Sequence, residues 1–195
     1  MISAITDEAD FEIAGYGARV HVRKAVMGDI PGLLNLINGY AADGVMLPRT
    51  EFELSENMRD FCVAIAEGKL VGCGALHFYS PVVGEIRSLA VAKNVKTRGI
   101  GREIVHFLVR EALEYSLGAV FAFTYVPGFF SRVGFHEVER GVLPLKAWKD
   151  CLRCPKFQNC DEIAVLRVLD NGAWTGSFSH KEDGSLLVQL PVLRH

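Results

Sequence analysis

No stretch of this sequence approaches the roughly 20 consecutive apolar residues that a membrane-crossing helix needs, so no membrane role is expected of it. Basic charge is not in excess either. The 21 lysines and arginines stand against 23 aspartates and glutamates, a formal net charge of -2. With both signs interspersed, no broad cationic face exists to neutralise nucleic-acid phosphates, and nucleic acid is not an expected partner. The opening MISAITDEADFEIAG is acidic where a secretory signal is basic and then apolar, which makes the cytoplasm the expected location. Cysteines number only 5, and an odd count without a secretion signal argues against a disulfide framework. Repeats, Pro/Ser-rich linkers and low-complexity tracts are all missing.

What is present suits one domain. Of the 195 residues 50% are hydrophobic, mean hydropathy is +0.21, and a chain of this size buries about 70% of its unfolded surface. Residues 1–19 read as a loosely held lead-in, 20–169 as the folded domain, and 170–195 as an extension rich in β-formers. In that extension Asp183-Gly184 marks a hairpin turn, and the segment offers an added edge strand or a homodimer contact.

From Val20, HVRKA reads as a strand, followed by Asp29 as a helix cap and Pro31 in the first turn of a helix carrying Leu33, Leu34, Ile37 and Tyr40. Thr50 and Glu53 have the spacing of a capping box for a second helix. Gly68-Lys69 then joins FCVAIAE to LVGCGALHF as a hairpin. EIRSLAV follows as a strand, then a helix after Gly99 with Gly118 as its C-cap, then AVFAFTY as an apolar central strand. A short helix over 129–133, a strand over 136–138, a helix over 145–152 and the strand EIAVLRVL complete an α/β order.

The chemistry gathers at the connection between EIRSLAV and the helix after it. Gly99 and Gly101 let backbone approach a ligand, the helix N-terminus offers unpaired N–H groups to an anion, and Lys96, Arg98 and Arg102 add cations. A phosphate or pyrophosphate is the natural guest. Neither a dinucleotide fingerprint nor a P-loop fits, because Ile104 stands where the third glycine belongs and no Gly-Lys-Ser/Thr follows. A helix start that merely contains two glycines is the bland alternative.

The run Lys96-Thr97-Arg98-Gly99-Ile100-Gly101 resembles the acetyl-CoA loop, Q/R-x-x-G-x-G/A, of the GCN5-related N-acetyltransferases (GNAT). A basic residue is kept at the first position. The order of elements from Val20 to Leu169 is also similar. The resemblance implies the GNAT fold: a mixed central sheet, flanked by helices, whose two central strands splay apart to admit the thioester of acetyl-CoA. It also implies that main-chain groups of Leu89, Ala90 and Val91 meet the pantetheine arm and that the loop through Arg102 holds the pyrophosphate.

Acetyl transfer needs a base for the acceptor ammonium, a donor for the developing oxyanion and a means of stabilising the leaving thiolate. Glu85-Ile86 falls in register with the glutamate base of the histone-acetyltransferase branch, which makes Glu85 the candidate base; a solvated strand-end carboxylate is the alternative. A backbone N–H of Leu89 or Ala90 would serve the oxyanion. Many relatives carry a tyrosine acid four residues before a Gly-Phe turn, but before Gly134-Phe135 that position is Phe130. A thiol ionises at about 8.5, so thiolate leaves without great difficulty; Tyr125, at the end of the preceding strand, offers a hydroxyl instead, with a core or rim tyrosine as the alternative reading.

LVGCGALHF, GEIRSLAV, FTYVPGFFSRVGF with Phe129-Phe130, and LPLKAWKDCLRCPKFQNCDEIAV together are similar to the short bacterial N-acetylglutamate synthases, which implies L-glutamate as acceptor in arginine biosynthesis. A dicarboxylate calls for guanidinium groups. Arg87 shares a strand face with Glu85, and Arg49 and Lys146 are further candidates, each otherwise a solvated cation. Cys151, Cys154 and Cys160 are spaced like part of a metal knot, yet no fourth ligand completes one, and no metal is expected. The rival readings are an N-acetyltransferase for another amine and a non-catalytic acyl-CoA sensor.

Overall fold

A computed structural model describes residues 9–12, 19–96, 99–143, 154, 156, 159–170 and 172–174. Thr97, Arg98, Lys146, Cys151, the expected helix over 145–152 and the tail hairpin lie outside the described residues.

In chain order the strands and helices are β1 (Ala9–Glu12), β2 (Arg19–Lys24), α1 (Ile30–Ala42), α2 (Glu51–Glu56), β3 (Phe61–Ala66), β4 (Lys69–Ser80), β5 (Val83–Val91), α3 (Ile100–Glu114), β6 (Ala119–Thr124), α4 (Pro127–Arg132), β7 (His136–Glu137) and β8 (Ile163–Val168). They form an 8-stranded sheet in the order β1-β2-β3-β4-β5-β6-β8-β7. Only β5 and β6 run parallel; every other neighbouring pair is antiparallel. Residues 9–12, read in sequence as lead-in, are instead an edge strand, because their main chain pairs from Ala9↔Val22 to Glu12↔Arg19.

Alternation along the strands assigns the two faces. Leu76 and Ile86 pack with the buried face of α3, through Ile100, Ile104 and Leu108. Val63, Cys73, Ala75 and Ala90 pack on the other side with Leu33, Ile37 and Leu54 of α1 and α2. α3 lies close to the sheet because β4 places glycine beneath it: a Cβ on Gly72 would stand 2.8 Å from Ile104 Cδ1, and one on Gly74 2.8 Å from Ile104 Cγ2. A third cluster, with Val83, Ala119, Phe121 and Leu166, covers the C-terminal half of the sheet.

Local signals act mostly as expected. Thr50 Oγ1 accepts from Glu53 N at 3.2 Å while Thr50 N donates to Glu53 Oε2 at 2.9 Å, the reciprocal capping box of α2. Three details differ. Asp29 makes no side-chain cap on α1; its carboxylate accepts from Val26 N at 2.8 Å and from Arg23 Nη1 at 2.7 Å, closing the 3-10 turn before the helix. The β3–β4 turn is Glu67-Gly68, both at positive φ (50° and 73°), one residue earlier than read, as a two-residue hairpin of this twist requires. Nor is Gly118 the cap of α3: Ser116 takes the left-handed conformation at φ 57°. Gly118 is needed for close approach, since a Cβ there would stand 2.9 Å from Ala173.

Candidate active site

The parallel pairing of β5 and β6 consists of Val83↔Ala119, Gly84↔Val120 and Glu85↔Phe121, and goes no further. From Ile86 to Val91, β5 continues along β4 alone, so its other edge faces a fork between the central strands. The splayed sheet is thus present. Inside the fork, β5 carries a bulge: Ala75 pairs with Arg87 and Cys73 with Ala90, leaving Ser88 and Leu89 opposite Gly74, with Ser88 at φ 53°. Leu89 packs toward α3 and Ala90 toward α1. Val91 C=O accepts from Tyr40 Oη at 2.6 Å, which ties the end of this edge to α1.

Past the fork the chain makes a 3-10 turn over Lys93–Val95 and enters α3 through Gly99, whose φ of 89° is the left-handed region that favours glycine. Gly99 C=O accepts from Glu103 N at 3.1 Å, so the first helical turn is formed. Ile100 is buried, and a Cβ on Gly101 would meet the Phe129 ring at 3.4 Å and Val91 Cγ2 at 3.6 Å. α4 is therefore seated against the first turn of α3. The Lys96 ammonium lies 4.8 Å from the Tyr40 ring centroid, and Arg102 pairs with Glu103 at 3.0 Å. The 15-residue helix, its left-handed glycine entry and the open edge of β5 together fit an extended thioester ligand ending in a pyrophosphate.

Glu85 sits at the crotch of the fork, in the last β5–β6 pair, and is only 1% exposed. Arg87 follows on the same face, toward α1 and α2, its side chain 11% exposed with Nη2 3.5 Å from Asp60 Oδ2. The same Asp60 oxygen meets His77 Nδ1 at 2.7 Å, and His77 is the direct cross-strand partner of Glu85. An aromatic wall continues from this cluster, with Tyr79 5.3 Å from His77, Phe121 5.5 Å from Tyr79, and Phe123 5.9 Å from Phe121. Sequence reading missed His77 and Asp60. Their signal was register, since His77 and Glu85 meet only once the β4–β5 hairpin is paired.

The other candidates are more dispersed. Phe130 is buried at 4% exposure and stacks edge-on with Phe129 and Phe135, so its position in α4 carries packing and no hydroxyl. Tyr125, beyond the end of β6, accepts from Lys156 Nζ at 3.2 Å. Burial raises its pKa from 10.0 despite that contact, and the neighbouring Asp161 adds to the rise. Arg49 lies in the loop after α1, where Asn38 grips its main chain at both N–H (2.8 Å) and C=O (2.9 Å). Cys154 and Cys160 are free thiols, and among the described residues no group of three or more His, Cys, Asp or Glu could hold a metal. A separate cleft of about 490 Å³ is lined by His106, Arg132, His136 and Arg167 together with Gly134 and neighbouring valines. Glu85 and Arg87 do not line it.

Comparison with known proteins bears on the fork and its loop. A family profile described as Acetyltransferase (GNAT) family matches residues 35–141, more than half of the 195. An uncharacterized N-acetyltransferase of Chlorobaculum tepidum is 40% identical over 148 residues, covering 76% of this chain and 96% of that protein. An amino-acid acetyltransferase of Mycobacterium tuberculosis is 39% identical over 121 residues, covering 60% of this chain and 69% of its own. Among solved structures, N-acetylglutamate synthase from Neisseria gonorrhoeae complexed with coenzyme A and N-acetyl-glutamate matches with a TM-score of 0.69 at 27% identity. That match covers 77% of this chain and 35% of the synthase, so the chain spans about a third of its length. The Mycobacterium tuberculosis protein Rv2747, solved in complex with CoA, matches with a TM-score of 0.65 at 32% identity, covering 76% of this chain and 98% of that one. The forked mixed sheet, the glycine entry to α3 and these relatives agree: the chain belongs to the GNAT family, an N-acetyltransferase with acetyl-CoA as co-substrate.

Proposed function

We propose that the protein acetylates the α-amino group of L-glutamate, with Glu85 as the base and Arg87 as the principal ligand of an acceptor carboxylate. The observation that carries this reading is the pair itself: a buried carboxylate at the crotch of the fork with a guanidinium two residues along the same face. Acetyl-CoA supplies the acyl group as a thioester. Glu85 takes a proton from the acceptor ammonium, and a main-chain N–H of Leu89 or Ala90, in the stretch of β5 that β6 does not pair, serves the developing oxyanion. Phe129 seats α4 against the first turn of α3 at Gly101, and Tyr125 is proposed as a hydroxyl beyond the β6 end. Arg49 and Lys146 are proposed as further carboxylate ligands, and Thr97, Arg98 and Arg102 as loop contacts to the pyrophosphate.

The glutamate preference is supported by the amino-acid acetyltransferase relatives and by the gonococcal synthase that holds N-acetyl-glutamate. We place the activity in arginine biosynthesis in the cytoplasm; no described helix is long and apolar enough to cross a membrane. Steady-state turnover against a panel of amines tests the reading. Glutamate should exceed aspartate, glutamine and lysine in kcat/KM, and equal rates would sink the assignment. Arg87→Ala should raise the glutamate KM by about tenfold or more, the scale of one lost charged hydrogen bond, while the KM for acetyl-CoA stays within about twofold.

A further inference from the structure

Each turnover by direct amine attack releases one proton at the base, and Glu85, 1% exposed, has no surface of its own from which to shed it. Around it, Arg87 cannot accept a proton, because a guanidinium stays charged in proteins. His77 can. It is the Cα partner of Glu85 across the β4–β5 pair, on the same face, a relation that brings Cβ atoms to about 4.5–5.5 Å. Its side chain retains 25% exposure. Asp60 Oδ2 lies 2.7 Å from Nδ1; a carboxylate only accepts, so Nδ1 carries the hydrogen and Nε2 is the basic nitrogen of the neutral ring. The edge-on contact with Tyr79, at 87° between planes, further fixes the ring.

We propose that His77, oriented by Asp60, carries the acceptor's proton from Glu85 to solvent. This rests on the reading of Glu85 as the base. One proton leaves the ammonium nitrogen for the Glu85 carboxylate, moves by way of one bridging water to Nε2 of His77 and passes to solvent. The neutral amine then forms its C–N bond to the acyl carbon, the C–S bond breaks with its electron pair remaining on sulfur, and the second proton leaving the nitrogen is taken up by that thiolate, so that one proton per turnover remains to be released. Asp60 is a positioning residue shared between the relay and Arg87. Among the described residues, the titratable and charged groups facing His77 include Asp60 from the 3-10 turn before β3, Glu85 and Arg87 from β5, and Tyr79 on its own strand.

The test is the kcat–pH profile of the full chain, its His77→Gln and Asp60→Asn variants, and Glu85→Gln, with whichever amine the panel selects. His77→Gln should lower kcat by about tenfold to a hundredfold at neutral pH, near the lower end of general acid–base effects. It should also change the shape of the kcat–pH profile and leave the KM for acetyl-CoA within about twofold. Added imidazole should restore rate to His77→Ala, which a purely structural loss would not allow. Asp60→Asn should lower kcat and alter the profile in the same sense as His77→Gln. An unchanged profile in His77→Gln, or a loss confined to the amine KM, overturns the relay while leaving the transferase reading intact. If Glu85→Gln keeps full kcat, the base assignment and the relay fall together; if the wild-type chain acetylates no amine, the function reading falls with them.

Discussion

At the scale of single residues, position relative to the fork separates chemistry from packing. With Glu85 as the proposed base, Glu85→Gln keeps shape and burial but removes the proposed proton acceptor, so kcat should fall by about 10²–10⁴-fold with little change in the melting midpoint, measured by steady-state rates beside a thermal melt. Glu85 could be singled out in the sequence because its neighbours along one strand, Ile86 and the residues leading to the glycine loop, mark its position, while its burial at the crotch shows only in the fold. Phe130 was legible as a missing hydroxyl, and its burial among Phe129 and Phe135 explains what the ring does instead. His77 was not legible. It reads as one polar residue in an apolar strand, and its partner Asp60 lies 17 residues earlier, brought beside it only by the β3–β4 pairing.

At the scale of elements, the helices were readable from periodicity, with Thr50–Glu53 the one expected cap that forms, while the irregularities that shape the site were not. The bulge at Ser88 and the left-handed Ser116 use a residue that adopts positive φ without announcing it; Gly118, which did look like a cap, answers to a contact from Ala173 far along the chain. The fit of α3 over β4 gives a direct check. Gly74→Ala would drive a methyl against Ile104 and Leu108 of α3, and should destabilise by about 1–3 kcal/mol, as overpacking does, in urea unfolding. Helix α3 also buries Glu111, which accepts from Lys24 Nζ of β2 at 2.6 Å. Burial raises the carboxyl above its ordinary 4.5, more than Lys24 offsets, with Glu114 and Asp60 adding to the rise. Between 4.5 and the raised value the native state binds this proton more tightly than the unfolded chain does. The contribution is therefore fully present below 4.5 and lost as pH rises through the folded value. Glu111→Gln should flatten that falling slope in a series of urea midpoints taken upward from weakly acidic pH.

For the whole molecule, the order of elements let the fold class be read from sequence, but the edge strand over 9–12 escaped because so short a segment shows no pattern until β2 is there to pair with it. Nor does sequence reveal how abruptly the central pairing stops, since β5 and β6 both read as strands that look able to pair throughout. The halves β1–β5 and β6–β8 share one continuous sheet yet meet along only three residue pairs. Amide hydrogen exchange should therefore be faster at Ile86–Val91 than in β3, which is paired on both sides, and should slow at Ile86–Val91 when acetyl-CoA is added. The short seam has a thermodynamic face as well. A ligand lying in the fork supplies cohesion between the halves that the main chain withholds, so the protein's resistance to heat is a function of co-substrate concentration. Saturating acetyl-CoA at about 100 times its Kd would add about 2.7 kcal/mol by mass action, making the melting temperature a gauge of how far the fork is filled.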